Sequence, residues 1–443
     1  MPGTIEKTPL EVAIIGGGII GVITAIGFLK RGLKVQIYEQ SSSFREIGAG
    51  ISFTANAIDC MERIDPGIKA ALKKVATTNG DPKNPNEYLQ YSDGYHQKEG
   101  EEPNLLFRLH TGYRGFEGCH RAHLLDELLK LLPEGAIECR KRLDRFEDEP
   151  GRKVQLFFED GSTAEADAVI GCDGIKSRTR QLLLGEGHPS SLPSYTNKLA
   201  YRALVPMDRA IAALGKEMAT NQRMHMGPKA HLLHFSVANH TLMNVVAFVS
   251  DPGDYAYDEK LSRLVTKDAV LEAFKDFGPT VRTITSLLPD EVNEWAIFDT
   301  GVSLVPSYAA GRVCLAGDAA HAAAPHHGAG AGVGVEDALA LCHVIELVTT
   351  SVTQDATPAS GALSAAFAAY ERVRLERTHW FVSSSRWICD VYEWQDPEIG
   401  QDFDLILKEI ETRSHKIWYF DFGKMLEQLG EEYRNAVFPS KAD

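Results

Sequence analysis

The residues best suited to chemistry come first in the chain. Gly16-Gly17-Gly18-Ile19-Ile20-Gly21 follows a short apolar run, Val12–Ile15, and opens a helical stretch. An acid, Glu39, stands 18 residues after Gly21 at the end of the next apolar strand. This is the spacing of a dinucleotide-binding βαβ unit. Gly16 permits a tight turn, Gly18 lets the backbone approach a pyrophosphate, and Gly21 lets helix and strand pack closely. The helix N-terminus offers free N–H groups and a partial positive charge to phosphates. Glu39 is placed to accept hydrogen bonds from an adenosine ribose. A carboxylate there repels a 2′-phosphate, which disfavours NADP as the ligand of this unit and leaves NAD and FAD.

Two further strand ends carry Gly and Asp. Gly171-Cys172-Asp173-Gly174 closes the apolar run Ala168–Ile170, and Gly317-Asp318 closes Arg312–Ala316. An Asp-Gly pair after a strand is by itself an ordinary turn. Ligands of open α/β sheets nevertheless sit at the carboxyl ends of strands, and Asp318 is placed there ahead of a glycine-rich run, Gly328-Ala329-Gly330-Ala331-Gly332. His321, His326 and His327 lie between. They lack carboxylate or cysteine partners at metal-site spacing, so loop packing is the preferred reading and no metal is expected. The sequence contains no HExxH, no GxxxxGK[ST] and no GxSxG.

The elements that must position these residues can be read in outline. Val12–Ile15, a helix to about Arg31 with Gly32 beyond its end, and Lys34–Tyr38 form the first unit. Val154–Phe158 and Ala164–Ile170 read as a hairpin around Asp160-Gly161. Leu199–Pro206, Ala230–Val237 and Thr241–Val249 read as antiparallel strands. The expected organisation is a cofactor domain in two parts, 1–184 and 296–390, and a sheet layer over 185–295 with one helix near Lys267–Phe277. A helical region, 391–443, completes it. Helices are expected near Gly334–Thr349, over Ala362–Arg386 and over Phe403–Ala436 with breaks. Thr349–Ser360 is expected to be an exposed loop. The fold class is α/β, Rossmann-like, with an inserted mostly antiparallel sheet and a helical C-terminal region.

Composition sets the remaining bounds. The 443 residues include 46 Lys plus Arg and 61 Asp plus Glu, a formal charge of −15. That balance argues against nucleic acid and against an anionic membrane surface. The uncharged run Val12–Leu29 is 18 residues long, but five glycines interrupt it, so strand, turn and buried helix are preferred to a membrane span. Seven scattered cysteines with no CxxC pair fit reduced thiols. No secretory, prenylation or peroxisomal signal is visible, and a cytoplasmic location is expected.

Taken in order, the three Gly/Asp signals resemble the FAD-dependent single-component aromatic monooxygenases of the salicylate and para-hydroxybenzoate hydroxylase group. Over essentially the whole chain the sequence is similar to fungal enzymes that oxidatively dearomatise resorcinol-type polyketides in azaphilone, asperfuranone, tropolone and sorbicillinoid pathways. Phe44–Gly50, Arg114–Arg121, Gly317–Gly330 and Arg413–Trp418 carry that closer likeness.

The resemblance implies that Glu39 binds the adenosine ribose, Gly50 lines the flavin path and Arg121 contacts FAD phosphate or ribityl oxygens. It implies that Asp318 binds the ribityl chain, with Gly317, Gly330 and Ala331 near the isoalloxazine. Asp173 and Gly174 would support both the flavin and a visiting NADPH or NADH. Arg202 on its strand would face the substrate and stabilise a phenolate, although spacing alone favours a solvent-facing strand-edge arginine. Phe235 stands where tropolone-type relatives carry a tyrosine, and it cannot donate a hydrogen bond. Phe116, His225 and His234 are further pocket candidates, with core packing an equal reading for each.

The implied reaction uses NAD(P)H, O2 and a flavin C4a-hydroperoxide to hydroxylate a phenolic aldehyde or ketone at an alkylated ring carbon, giving a dienone. The rival readings are a salicylate-type hydroxylase giving a catechol, an FAD oxidase or dehydrogenase without oxygen insertion, and a non-catalytic flavoprotein.

Overall fold

The computed structural model describes residues 9–43, 50–81, 83–112, 117–255, 261–354 and 357–438. Of the stretches that carry the resemblance, residues 44–49 and 114–116, Phe116 among them, lie outside the described residues.

Strand Glu11–Ile15, four of its five residues buried, lies at the centre of a six-stranded sheet. Lys34–Glu39 and Ile137–Cys139 extend the sheet on one side, Ala168–Gly171 and Val313–Leu315 on the other, all in parallel. The chain therefore reverses direction of growth between Glu11–Ile15 and Ala168–Gly171, the kind of switch point at which α/β sheets bind ligands. Glycine fingerprint, Asp173-Gly174 and Gly317-Asp318 all stand at carboxyl ends of these strands. Helices Ile19–Lys30, Gly330–Gln354 and Ala359–Tyr392 share one large core with this sheet. A three-stranded meander, Leu143–Glu147, Val154–Phe158 and Thr163–Ala166, contributes to a second core with it through Leu156, Phe158 and Val169.

The run expected as one strand, Ala164–Ile170, is two. Thr163–Ala166 belongs to the meander and Ala168–Gly171 to the parallel sheet. Asp167 makes the break, accepting a hydrogen bond from the Glu11 amide at 2.8 Å and so pinning the crossover to the central strand.

The second large sheet has eight strands, running from edge to edge as Ser262–Thr266, Glu291–Asp299, Ser194–Pro206, Leu242–Ser250, Ala230–Val237, Arg223–Gly227, Glu87–Asp93 and Asn104–His110. It is wider than 185–295, because its last two strands come from the first segment. Glu87–Asp93 joins in parallel to Arg223–Gly227, a pairing between distant segments that local alternation does not announce. Four helices, Met207–Leu214, Lys216–Thr220, Asp268–Ala273 and Pro279–Ser286, replace the single expected one. They lie on the face of the sheet that carries Leu232, Val245 and Ala247.

Helix Gly330–Gln354 runs through the first half of the expected Thr349–Ser360 loop, and the next helix begins at Ala359. Thr349, Thr350 and Thr353 turn their hydroxyls back onto carbonyls four residues earlier, which lets threonine remain helical there. Among the described residues no helix is long and apolar enough to cross a membrane.

Buried charges fasten the long helices to the sheet. Glu336 and Asp337 on Gly330–Gln354 meet Arg374 and Arg377 on Ala359–Tyr392, and the two acids and Arg374 are fully buried. Arg374 donates to Asp337 at 2.8 Å and to Glu336 at 3.0 Å, while Arg377 forks onto Glu336 with two bonds of 2.6 Å. Asp337 also accepts from the Gly317 amide at 2.9 Å and bonds His321 at 2.6 Å. Burial alone raises a carboxyl pKa; here His321, Arg374 and the Gly317 amide more than reverse it, to about 2.

Removing one partner of such a network leaves a charge uncompensated. Arg374→Met is expected to cost roughly 3 kcal/mol in urea unfolding. Because Asp337 titrates lower folded than unfolded, its contribution is complete above about pH 4 and fades toward about pH 2. An Asp337→Asn protein should lose that segment of the acid-unfolding curve.

Candidate cofactor and substrate site

Gly16 has φ +105°, and a Cβ there would lie 2.4 Å from the Cys172 carbonyl oxygen. At Gly21 a Cβ would lie 2.1 Å from the Gly16 oxygen. Both positions thus exclude any side chain, one by conformation and contact, the other by contact alone. Gly18 caps helix Ile19–Lys30 without a side-chain bond, leaving the first-turn amides available to a ligand. Glu39 accepts from the Gly17 amide and from the Ser41 amide, each at 2.7 Å. The acid and the glycine turn are thereby joined before any ligand arrives.

Arg121 is the first residue of helix Arg121–Leu129. Its Nη2 lies 3.9 Å from where a Gly18 Cβ would stand. Burial lowers its pKa, while the charges of Asp318 and Glu39 act the other way. Gly18, Glu39, Arg121 and Asp318 thus surround one cleft.

Asp173 is occupied within its own loop. One carboxylate oxygen accepts from the Ser177 hydroxyl at 2.6 Å, the other from the Thr179 amide at 2.9 Å and hydroxyl at 3.0 Å. Gly174 takes the left-handed turn that follows, φ +77°. A residue that the sequence did not mark, Arg180, ties this loop to the third one. Fully buried, it donates to the carbonyls of Ile175 at 2.6 Å, Ala319 at 2.9 Å, Ser191 at 3.1 Å and Asp318 at 3.3 Å. Gly317 has φ +61° and leads into Asp318, whose side chain is exposed to the cleft. Helix Gly330–Gln354 begins at Gly330, where a Cβ would meet nothing within 4 Å, so the start of the helix is open on that side.

The substrate side is the face of the large sheet that carries Arg202. Arg202 stands opposite Val246 on one neighbouring strand and Asn293 on the other. Its guanidinium carbon lies 5.6 Å from the Trp295 ring centre, and its Nε is buried without a hydrogen-bond partner. Burial and the charge of Arg121 lower its pKa to about 10, which still leaves it cationic near neutrality. Phe235 stands opposite Asn244, two residues from Val246 and so on the same face. Its ring tip lies 2.7 Å from a notional Gly50 Cβ, and the Asn244 amide carbon lies 3.2 Å away, so any side chain at Gly50 would have to displace Phe235. Asn244 keeps a buried, unpartnered Nδ2 on this face.

His225 and His234 are set apart from these residues. His225 pairs with Leu232 and His234 with Val245, which face the four-helix layer on the reverse of the sheet. Their rings stack at 5.3 Å. Burial keeps both neutral, His234 with a pKa lowered to about 3.

The donor set fits FAD. The uncapped glycine turn and Arg121 would hold the pyrophosphate, Glu39 the ribose, Asp318 the ribityl hydroxyls, and the open approach at Gly330–Ala331 the ring. Glu39→Ala removes a charge-assisted acceptor and is expected to weaken FAD binding about 10- to 100-fold. Flavin fluorescence titration of the apoprotein checks this.

Comparison with known proteins agrees. Residues 9–357 match the FAD binding domain family model. An FAD-dependent monooxygenase from Monascus ruber, pigN, is 49% identical over 99% of this chain and 100% of its own length. A salicylate hydroxylase from Sarocladium schorii, asL1, is 47% identical over 96% of this chain and 92% of its own. A solved salicylate hydroxylase–substrate complex superposes with a TM-score of 0.82 at 32% identity, covering 99% of this chain and 100% of that one. With the cleft, the fold and these relatives in agreement, the chain belongs to the FAD-binding-domain family and is an FAD-dependent monooxygenase.

Proposed function

We propose that this monooxygenase hydroxylates and oxidatively dearomatises a resorcinol-type phenolic aldehyde or ketone, consuming NAD(P)H and O2. One observation carries the reading. Arg202 is a cation in the protein interior with an unpartnered Nε, and among the described residues no carboxylate pairs with it. A buried, unpaired guanidinium is costly unless an anion completes it. A phenolate is such an anion, and the arginine lowers the phenol pKa by stabilising it. A phenolate is also the stronger carbon nucleophile.

When bound, FAD supplies the reducing and oxygen-transferring chemistry. The chain's own residues bind and orient. Arg202 holds the phenolate oxygen, and Trp295 packs beside the guanidinium. Phe235 bounds the pocket where a tyrosine would have donated a hydrogen bond. Attack through a ring carbon bearing an alkyl group leaves no proton to restore aromaticity, so the product is a hydroxylated dienone. Asp173 and Gly174 are proposed to support the visiting nicotinamide, for which the chain has no second glycine fingerprint. The likeness to salicylate hydroxylases keeps a catechol-forming reaction as the second reading.

A product assay decides between them. The yellow protein is incubated with NAD(P)H, oxygen and an alkylated 2,4-dihydroxybenzaldehyde, and the product is read by mass and ultraviolet spectrum. One added oxygen with loss of the aromatic spectrum is expected. A retained ring, or loss of carbon dioxide, assigns the chain to the catechol-forming hydroxylases. Arg202→Ala should keep FAD while losing product formation about 100-fold, the scale of one charge-assisted bond.

A further inference from the structure

A buried polar cluster outside the cofactor cleft lies where the end of helix Ala359–Tyr392 meets the large sheet. Glu393 caps the helix and is fully buried. One of its oxygens bonds His231 Nδ1 at 3.1 Å and accepts from the Cys389 thiol at 3.4 Å. The other accepts from Lys198 at 2.6 Å, Ser250 at 2.7 Å and Gln395 at 2.8 Å. Lys198 also pairs with Asp390 at 3.1 Å, whose side chain is 43% exposed, so the cluster reaches solvent on that side.

Its other side points inward. His231 stacks on Phe248 at 4.6 Å and meets His326 edge-on at 5.4 Å between ring centres. Phe248 is two residues from Val246, the partner of Arg202, hence about 7 Å along the same face. His326 sits in the turn Pro325–His327, between Asp318 and the glycine-rich helix start, and Ala324 of that segment packs with Val246. His231 Nε2 and His326 Nδ1 are both buried without a partner.

An anchor for the helix end would need Glu393 and Lys198, but not an orphaned nitrogen on each of two imidazoles whose rings meet at 5.4 Å, each costly to bury. His231, Cys389 and Glu393 are close enough to suggest a metal, yet the Lys198 ammonium already occupies the carboxylate and repels a cation. The ionised carboxylate can only accept, so His231 Nδ1 carries the hydrogen and Nε2 is left as an acceptor.

We propose that His326, His231 and Glu393 form the path by which the substrate's phenolic proton leaves the pocket. The proposal rests on the phenolic substrate proposed above. The phenol O–H gives its proton to His326 Nε2, and His326 Nδ1–H passes one to His231 Nε2, directly or through one water. The phenolate remains on Arg202, and the imidazolium so formed at His231 is held by the Glu393 carboxylate. The Glu393 carboxylate then takes the His231 Nδ1 proton and yields it to water at the rim beside Gln395 and Asp390, which leaves both imidazoles neutral.

The groups facing the path suit it. Burial lowers the pKa of both histidines, so each is neutral and free to accept. Burial raises Glu393, but His231 and Lys198 more than reverse this and keep it ionised. Burial raises the Cys389 thiol and the Tyr392 phenol, which stay protonated. His327, the remaining neighbour of His326, is neutral and bonded to Ser384 at 2.9 Å.

The test uses FAD-loaded enzyme and the alkylated 2,4-dihydroxybenzaldehyde, following phenolate absorbance by stopped flow across pH. His326→Gln leaves the Glu393 cluster intact and is the primary variant, with His231→Gln as the second. Both should retain FAD and slow phenolate formation at least about 10-fold at pH 7. The defect should vanish as pH rises through the probe's own pKa, because the phenolate then binds already formed. A purely structural loss would not be rescued in this way. Variants within two-fold of wild type at pH 7, or a defect equal at every pH, would overturn the path alone. Wild-type enzyme that neither ionises nor converts the probe would overturn the substrate reading and the path with it.

Discussion

Asp337 must remain ionised in a place that water does not reach, and much of the molecule is arranged around that requirement. Its charge is met from three directions: by Arg374 on one helix, by His321 on another, and by the backbone amide of Gly317. The last contact sets the turn that presents Asp318 to the cleft. A fully buried side chain therefore fixes the turn that carries Asp318 at the cleft. The neighbouring Glu336 extends the same arrangement to Asn56 at 3.0 Å, on the helix that follows strand Gly50–Phe53.

Helix Ala359–Tyr392 carries this constraint across the protein. Arg374 and Arg377, near its middle, lock it to the cofactor layer. Arg386 forks onto Asp299 at the end of a strand of the large sheet, and the cap at Glu393 engages three more strands through Lys198, His231 and Ser250. One rigid element thus sets the distance between the glycine turns and Arg202. The two halves of the site are held by buried charge at both ends, with apolar packing of the helix between them.

What was legible in the sequence was local. The Gly16–Gly21 turn, the strand before it and Glu39 fall within one βαβ unit, and the first and last glycines of the turn occupy places where no side chain fits. Arg202 had no such signature; a strand arginine looks the same whether it faces water or a pocket, and only family resemblance pointed inward. His234 and Phe235 are adjacent on one strand, so they cannot share a face, and counting alternation would have separated them. The acids of the Arg374 network were hidden for a different reason. Their partners lie about 40 residues away on another helix, and an acid pair inside an apolar helix was the sole hint. The strands over 87–110 were missed because their pairing partner is far along the chain.

Arg180 holds the second and third cofactor loops together through carbonyl oxygens alone. Such a clasp is indifferent to which side chains the loops display, provided their backbones keep course. The side chains that the loops turn toward the cleft can then change without the loops coming apart. This separates the freedom to change chemistry from the need to stay assembled.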